Sequence, residues 1–261
     1  MISRSDIATA LKKSGVVKGS TVFCHSNLAF FGPVNNCYTM NDLVEVFLSE
    51  FTKALGPEGT LIVPAFTYSF GSDKSEKIFD PNLPVIGMSS IGNQLVKFGT
   101  GIRSTDPMLS VVGIGGKAHS LVENVGNVCF GPHSIWERLF EEDALICNLN
   151  FDSGSTFLHW LEREIGVSYR KDVELSGKVV IDNIHYDRKV IYTGRCLDDK
   201  GSKPKFETFH SMCIDEGVTT KINMGRGQIC SYSCQDASKF LKKIIKPFPF
   251  ILTQGNACNT D

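Results

Sequence analysis

The sequence predicts an α/β layered domain with an antiparallel appendage in its C-terminal third, and three observations predict it. Short apolar runs alternate with segments of helical period over the first 165 residues, as strands and helices do in layered domains. Glycine and proline close those segments sharply, at Gly56-Pro57, Pro64 and Pro247. Between Val173 and Tyr192 the texture changes to strand alternation interrupted by the polar pair Asp182-Asn183, as in antiparallel strands joined by a turn.

Element by element, Ser5 to Ser14 reads as an amphipathic helix with Ile7, Ala8 and Leu11 on one face and Gly15 at its end. Lys18 to His25 is a turn feeding a short buried strand. Thr39-Met-Asn-Asp42 has capping-box spacing and opens a helix with Leu43, Val44, Phe47, Leu48, Phe51 and Leu55 as its apolar face. Gly59 to Pro64 is the next buried strand. The pattern recurs as helix Trp136 to Phe140, strand Ala144 to Leu149 and helix Thr156 to Ile165, and a last helix runs from Gln235 to Lys246. No repeat, low-complexity linker or charge block divides the chain, which reads as one domain over 1–261.

Composition narrows the function. With 42% hydrophobic and 21% charged residues, 261 residues can bury a real core. A formal net charge of −1 gives no electrostatic case for nucleic acid. No apolar run approaches the ~18 residues of a membrane span, and Met1-Ile-Ser-Arg-Ser-Asp-Ile-Ala lacks the apolar centre of a secretory signal. The expectation is a soluble, cytoplasmic protein without membrane or nucleic-acid partners. Nine cysteines, several inside apolar runs (Cys24, Cys129, Cys147), read as buried thiols rather than a disulfide framework. With no CxxC pair, and Cys230 and Cys234 lacking a second pair, no metal site is expected.

The strongest chemical constellation follows the strand ending at Leu149. In open α/β sheets ligands bind beyond the carboxyl ends of strands, and here that end delivers Asn150, Asp152, Ser153, Gly154, Ser155 and a helix start. His159 lies near the start of that helix and Glu162 three residues on, within reach to orient it. An imidazole with a pKa of ~6.5 can take a proton at neutral pH. On spacing alone His159 reads equally as a packed helix histidine among Phe157, Leu158, Trp160 and Leu161. His25-Ser26-Asn27-Leu28 to Gly32 is a second loop past a strand; its backbone N–H groups and the Ser26 hydroxyl suit a polyphosphate or pantetheine arm, or it is an ordinary connection. Cys24 and His25 point to opposite strand faces and make a poor nucleophile–base pair. Gly113-Ile-Gly-Gly-Lys117-Ala118 falls short of a P-loop, and no GxSxG elbow occurs. His119, His133, His185 and His210 show no carboxylate or cysteine partner at useful spacing.

Taken in order, these segments resemble the aminoglycoside N(3)-acetyltransferase family from about Ser5 to Tyr169. The matching pieces are Lys18-Gly19-Ser20 with His25 to Gly32, Gly59 to Pro64 followed by Ala65-Phe66-Thr67-Tyr68, and Arg103-Ser104-Thr105-Asp106-Pro107-Met108-Leu109-Ser110. Phe130-Gly131-Pro132-His133-Ser134-Ile135 and Asp152-Ser153-Gly154-Ser155-Thr156 to His159 and Glu162 complete them. The resemblance implies an α/β/α sandwich around a central mixed sheet, distinct from the GNAT fold, with acetyl-CoA (CoA) as donor and a sugar-borne amine as acceptor. It carries the catalytic base and its acidic partner onto His159 and Glu162. It puts CoA contacts on His25, Ser26, Asn27 and Leu28 and on Arg103, Ser104 and Ser110, and acceptor contacts on Tyr68, Asp106, Asp152 and Thr156. Residues 1–170 become the CoA-binding and catalytic part, residues 171–261 the acceptor-side strands and last helix, with homodimer formation left open. Three departures stand out: Asp106 replaces a histidine, Asn93 in Gly87-Met-Ser-Ser-Ile-Gly-Asn93 replaces an acid, and Ile135 replaces a proline.

A sugar amine is largely protonated near neutral pH, and removing that proton with a positioned imidazole is worth ~10²–10⁴ in rate. Two acceptors compete. A polycationic aminoglycoside favours an acidic pocket, for which Glu141, Glu142, Asp143 and Glu164 supply acid; a nucleotide-linked amino sugar of surface polysaccharide (O-antigen) biosynthesis favours cations. The near-neutral balance and the departures tilt toward the biosynthetic sugar. A non-catalytic CoA-binding relic is the third reading, supported only by Asp106 and Asn93.

Overall fold

The computed structural model describes residues 1–73, 76–85 and 89–255; Gly87 and Met88 of the stretch ending at Asn93 lie outside them. The first half runs α1 (Arg4–Lys13), β1 (Thr21–Ser26), α2 (Met40–Leu55), β2 (Thr60–Pro64), β3 (Ile78–Phe79), α3 (Ser90–Phe98), β4 (Ile102–Arg103), β5 (Val111–Gly115) and α4 (Ala118–Val122). It continues α5 (Ile135–Glu141), β6 (Leu145–Leu149), α6 (Phe157–Ile165), β7 (Arg170–Ile181), β8 (Ile184–Arg195), α7 (Glu207–Asp215), β9 (Thr220–Met224), β10 (Gly227–Ser233) and α8 (Cys234–Ile244). Among the described residues no helix is long and apolar enough to cross a membrane.

Seven strands form the central sheet in the order β4-β5-β2-β1-β6-β10-β9. Its middle, β2-β1-β6, is parallel, and the flanking pairs β2–β5, β4–β5, β6–β10 and β10–β9 are antiparallel, so the sheet is mixed. Alternate strand residues feed two cores. Val22, Cys24, Leu61, Val63, Cys147 and Leu149 pack with Ile7, Leu11, Phe47, Phe51 and Leu95 from α1, α2 and α3. Phe23, Ile62, Ile146 and Tyr232 pack with Trp136, Leu161, Phe209 and Leu241 from α5 to α8. Helices therefore cover both faces, the layered α/β/α arrangement.

The capping box at Thr39 forms as read: its hydroxyl accepts from the Asp42 N–H, and the Asp42 carboxylate accepts from the Thr39 N–H at 2.8 Å. The paired antiparallel strands are β7 and β8, joined at Asp182 and Asn183 with φ of 50° and 63°, the backbone of a tight hairpin turn. The appendage is smaller than the C-terminal third. β3, from the first half, adds to this hairpin in parallel, while β9 and β10 return to the central sheet beside β6. The sequence reading missed β9 and β10, which are short runs joined by a tight turn at Gly225.

Candidate functional site

The parallel pairing of β1 with β6 sets His25 opposite Asn148 and Ser26 opposite Leu149, so the loops leaving both strands emerge side by side. They are tied together. The Asn27 N–H donates to the Leu149 carbonyl at 2.9 Å, and Asn150 Nδ2 donates to the Asn27 carbonyl at 2.8 Å. Fully buried Asn148 shapes the second loop, its Nδ2 donating to the carbonyls of Asp152 (2.6 Å) and Gly154 (2.8 Å). Asp152 Oδ1 accepts from the Gly154 N–H at 2.7 Å. His25 Nε2 lies 3.4 Å from the Thr156 N and 3.3 Å from its hydroxyl, which brings the two loops into one floor.

α6 then presents His159 and Glu162 on one face. His159 Nδ1 is 2.6 Å from Glu162 Oε2; a carboxylate only accepts, so a hydrogen bond between them requires the proton on Nδ1. Phe130 and Phe206 flank the ring, their centroids 5.9 and 6.2 Å away. Arg170, the first residue of β7, donates from Nε to Glu162 Oε2 and lays Nη2 against the imidazole, 2.6 Å from Nδ1 and 3.3 Å from Nε2. Burial pushes the His159 pKa below its ordinary value; Glu162 pulls it up and Arg170 pushes it down, with a lowered result. Burial raises the Glu162 carboxyl, but His159 and Arg170 outweigh it and hold it below the usual carboxylate range. His25 is lowered to about 4, by burial first and by His159 second. Both histidines are thus neutral near pH 7.

Two cavities meet here. One, of about 550 Å³, is lined by His25, Ser26, Asn27, Leu28, Phe151 and Thr156 among others. The other, of about 600 Å³, is lined by His159, Arg170 and Lys171, by Tyr192 and Arg195 of β8, and by Asp198. Tyr68 lines both. Its φ of 50° is unusual for an aromatic residue and marks local strain where the cavities join. Burial pushes its phenol up to about 12, so it stays neutral.

The structure gathers His25, Ser26, Asn27, Leu28, Tyr68, Thr156 and His159 around these cavities, with Glu162 behind His159. Four of the residues carried over from the resemblance have other occupations. Ser110 is fully buried and its hydroxyl donates to the Ala65 carbonyl at 2.5 Å. The Ser104 hydroxyl accepts from the Val111 N–H at 3.0 Å. Arg103 donates to the carbonyls of Pro81, Leu83 and Ala65 at 3.0, 2.7 and 2.9 Å. Asp106 is buried and accepts from the N–H groups of Met108 and Leu109 at 2.8 and 3.0 Å. These hydrogen bonds give all four a part in holding the strand and turn backbone. Asp152 likewise shapes its own loop.

Sequence reasoning missed Asn148, Arg170 and His210. His210 Nδ1 accepts from the Ser153 N–H at 3.2 Å and lies 2.8 Å from the Ser153 hydroxyl, a partner 57 residues away. His119 also has a partner that was overlooked, Glu123 at 3.0 Å and four residues on along the surface. Of these only the His119 pair has a local spacing signal.

A comparison with curated proteins finds no match. The sequence profile of aminoglycoside 3-N-acetyltransferase matches residues 23–246. Among solved structures, aminoglycoside acetyltransferase AAC(3)-Xa is similar at 19% identity and a TM-score of 0.78, covering 93% of this chain and 92% of that one. AAC-VIa bound to sisomicin is similar at 19% identity and 0.76, covering 94% and 97%. The AAC-IIIb binary complex with CoASH is similar at 16% identity and 0.76, covering 94% and 97%. At these identities the structures establish the fold, which is not the GNAT fold, and the profile establishes the class, CoA-dependent N-acetyltransferases. The chain belongs to the aminoglycoside 3-N-acetyltransferase family.

Proposed function

We propose that the chain transfers an acetyl group from acetyl-CoA to the amine of a nucleotide-linked amino sugar, with His159 as general base. The donor fits the cavity of about 550 Å³ beside β1. There the Ser26 hydroxyl is buried and has no hydrogen-bond partner among the described residues, a ready contact for the pantetheine arm. When bound, acetyl-CoA supplies the acyl group as an activated thioester. His25, Asn27, Leu28 and Thr156 line its side of the cleft.

The acceptor enters the cavity of about 600 Å³, where His159 Nε2 takes the ammonium proton and Glu162 steadies the imidazolium. Residues 1–170 thus supply the donor side and the base, and β7 and β8 supply the acceptor wall. Placing both substrates in adjoining cavities turns their meeting into an oriented, effectively intramolecular event.

The charge of the acceptor side carries the choice of sugar. Lys171 and Arg195 line it against one acid, Asp198, and neither cation forms an ion pair among the described residues. The acids available to a polycation lie elsewhere. Asp143 accepts from the Ser233 hydroxyl (2.6 Å) and Glu142 pairs with Lys117, both before β6 and so at the opposite end of that strand from the cleft. Glu164 is exposed on α6. Phosphates complement this wall, and like charges oppose it. A second reading, an aminoglycoside acceptor, is favoured by the family description. Thiol release from acetyl-CoA, followed with a nucleotide-linked amino sugar and with a kanamycin-like amine, separates them. Faster turnover of the nucleotide sugar is expected; robust activity confined to the aminoglycoside overturns the choice.

A further inference from the structure

We propose that Arg170 is the positioning residue of the base: its guanidinium shares the Glu162 carboxylate with His159, so that Glu162 orients the imidazole without fixing a second proton on it. The inference rests on His159 as the base, and a charge count carries it. The side chains of Arg170 and Glu162 are 5% and 1% exposed, so both charges are out of water. Arg170 cannot be deprotonated. With arginine and carboxylate both present, the buried trio is neutral when the imidazole is neutral. Protonating His159 then leaves one uncompensated buried positive charge, a costly state. Remove the guanidinium and the balance inverts. A buried carboxylate 2.6 Å from an imidazole is compensated only when the ring is protonated, and a protonated ring is no base.

The geometry puts Arg170 against both members of the pair, with Nη2 2.6 Å from His159 Nδ1 and 3.3 Å from its Nε2. Nε of Arg170 donates to the same Glu162 Oε2 that accepts from His159 Nδ1. Its Nη1 donates to the Thr193 carbonyl at 3.3 Å, which anchors the fork to β8. The other polar groups near the ring do not replace it. His25 on β1 is neutral, the phenols of Tyr68, Tyr169 and Tyr192 are all pushed upward by burial, and Asp172 is held by Arg163 (2.9 Å) and Thr193 (2.5 Å). Lys171, Arg195 and Asp198 line the cavity beyond it.

The test is the titration of the His159 imidazole, followed by histidine NMR alongside the pH profile of kcat/KM. In the unmodified protein the ring titrates below its ordinary value despite the adjoining carboxylate; a titration above that value overturns the inference without any variant. In Arg170→Met the ring titration and the acidic limb both move up by about one to two pH units, the usual effect of losing one nearby charge. Arg170→Lys keeps the cation and holds the limb near its original position while lowering kcat. A merely structural arginine would lower activity in Arg170→Met and leave both titrations in place, and that result overturns the inference. Arg170→Gln repeats the comparison if the methionine variant does not fold. Failure of every amine to accept an acyl group would sink the base assignment, and the NMR titrations would still decide the role of Arg170.

Discussion

Ser26 ends β1 and Ser110 precedes β5, two strands away across β2; both carry hydroxyls matched to the family pattern, and their surroundings send them to different work. The Ser110 hydroxyl donates to Ala65 O and accepts from Arg103, while the Ser26 hydroxyl has no partner. A buried hydroxyl without a partner is either a cost or a ligand contact; one bonded to two residues, as Ser110 is, is architecture. Ser110→Ala should therefore lower stability by about 1–3 kcal/mol in urea unfolding, because Arg103 loses a buried acceptor. Its CoA affinity should stay within twofold by titration calorimetry. A tenfold loss of CoA affinity at unchanged stability would return Ser110 to the donor site. The same contrast explains what was readable at this scale. Glu162 is three residues from His159 on one helix, a local relation that spacing reports. Arg170, His25 and His210 reach the site through strand pairing and helix packing, and no spacing rule links them to it.

In the proposed mechanism the loop between β6 and α6 matters most among the elements, since it fixes where α6 begins and so where His159 points. Asn148 holds it from below and His210 on α7 holds it from the side. Gly154 is its tightest point: a Cβ there would stand 2.2 Å from Phe206 Cδ2, and Phe206 in turn packs beside the His159 ring. Gly154→Ala is expected to cost about 1–3 kcal/mol of stability by overpacking and to lower kcat more than it raises the KM for acetyl-CoA. Normal kcat at reduced stability would detach this contact from the chemistry. Elements themselves were well marked in the sequence where a local signal existed. The capping box at Thr39, the Gly56 stop and the Asp182-Asn183 turn all formed where read. β9 and β10 were not legible, since their place beside β6 is decided by Ile229 and Tyr232 packing into the two cores and not by a pattern of their own.

Across the whole molecule, one cavity opens beyond the ends of parallel β1 and β6 and another lies against the β7–β8 hairpin, the proposed donor and acceptor sides. Tyr68 and the His159 helix stand where they join, so a base at His159 can serve an amine held on one side and a thioester held on the other. The order of the N-terminal segments was legible, and with it the family and the grouping of His25, Thr156 and His159. The charge of the proposed acceptor wall was not, because it depends on which hairpin residues face inward. The most direct measurement is single-turnover acetyl transfer by His159→Ala, with CoA affinity measured in parallel. Loss of transfer by at least about 10²-fold, with CoA still bound as tightly as by the unmodified protein, is the predicted result. Near-normal transfer in that variant would contradict the account.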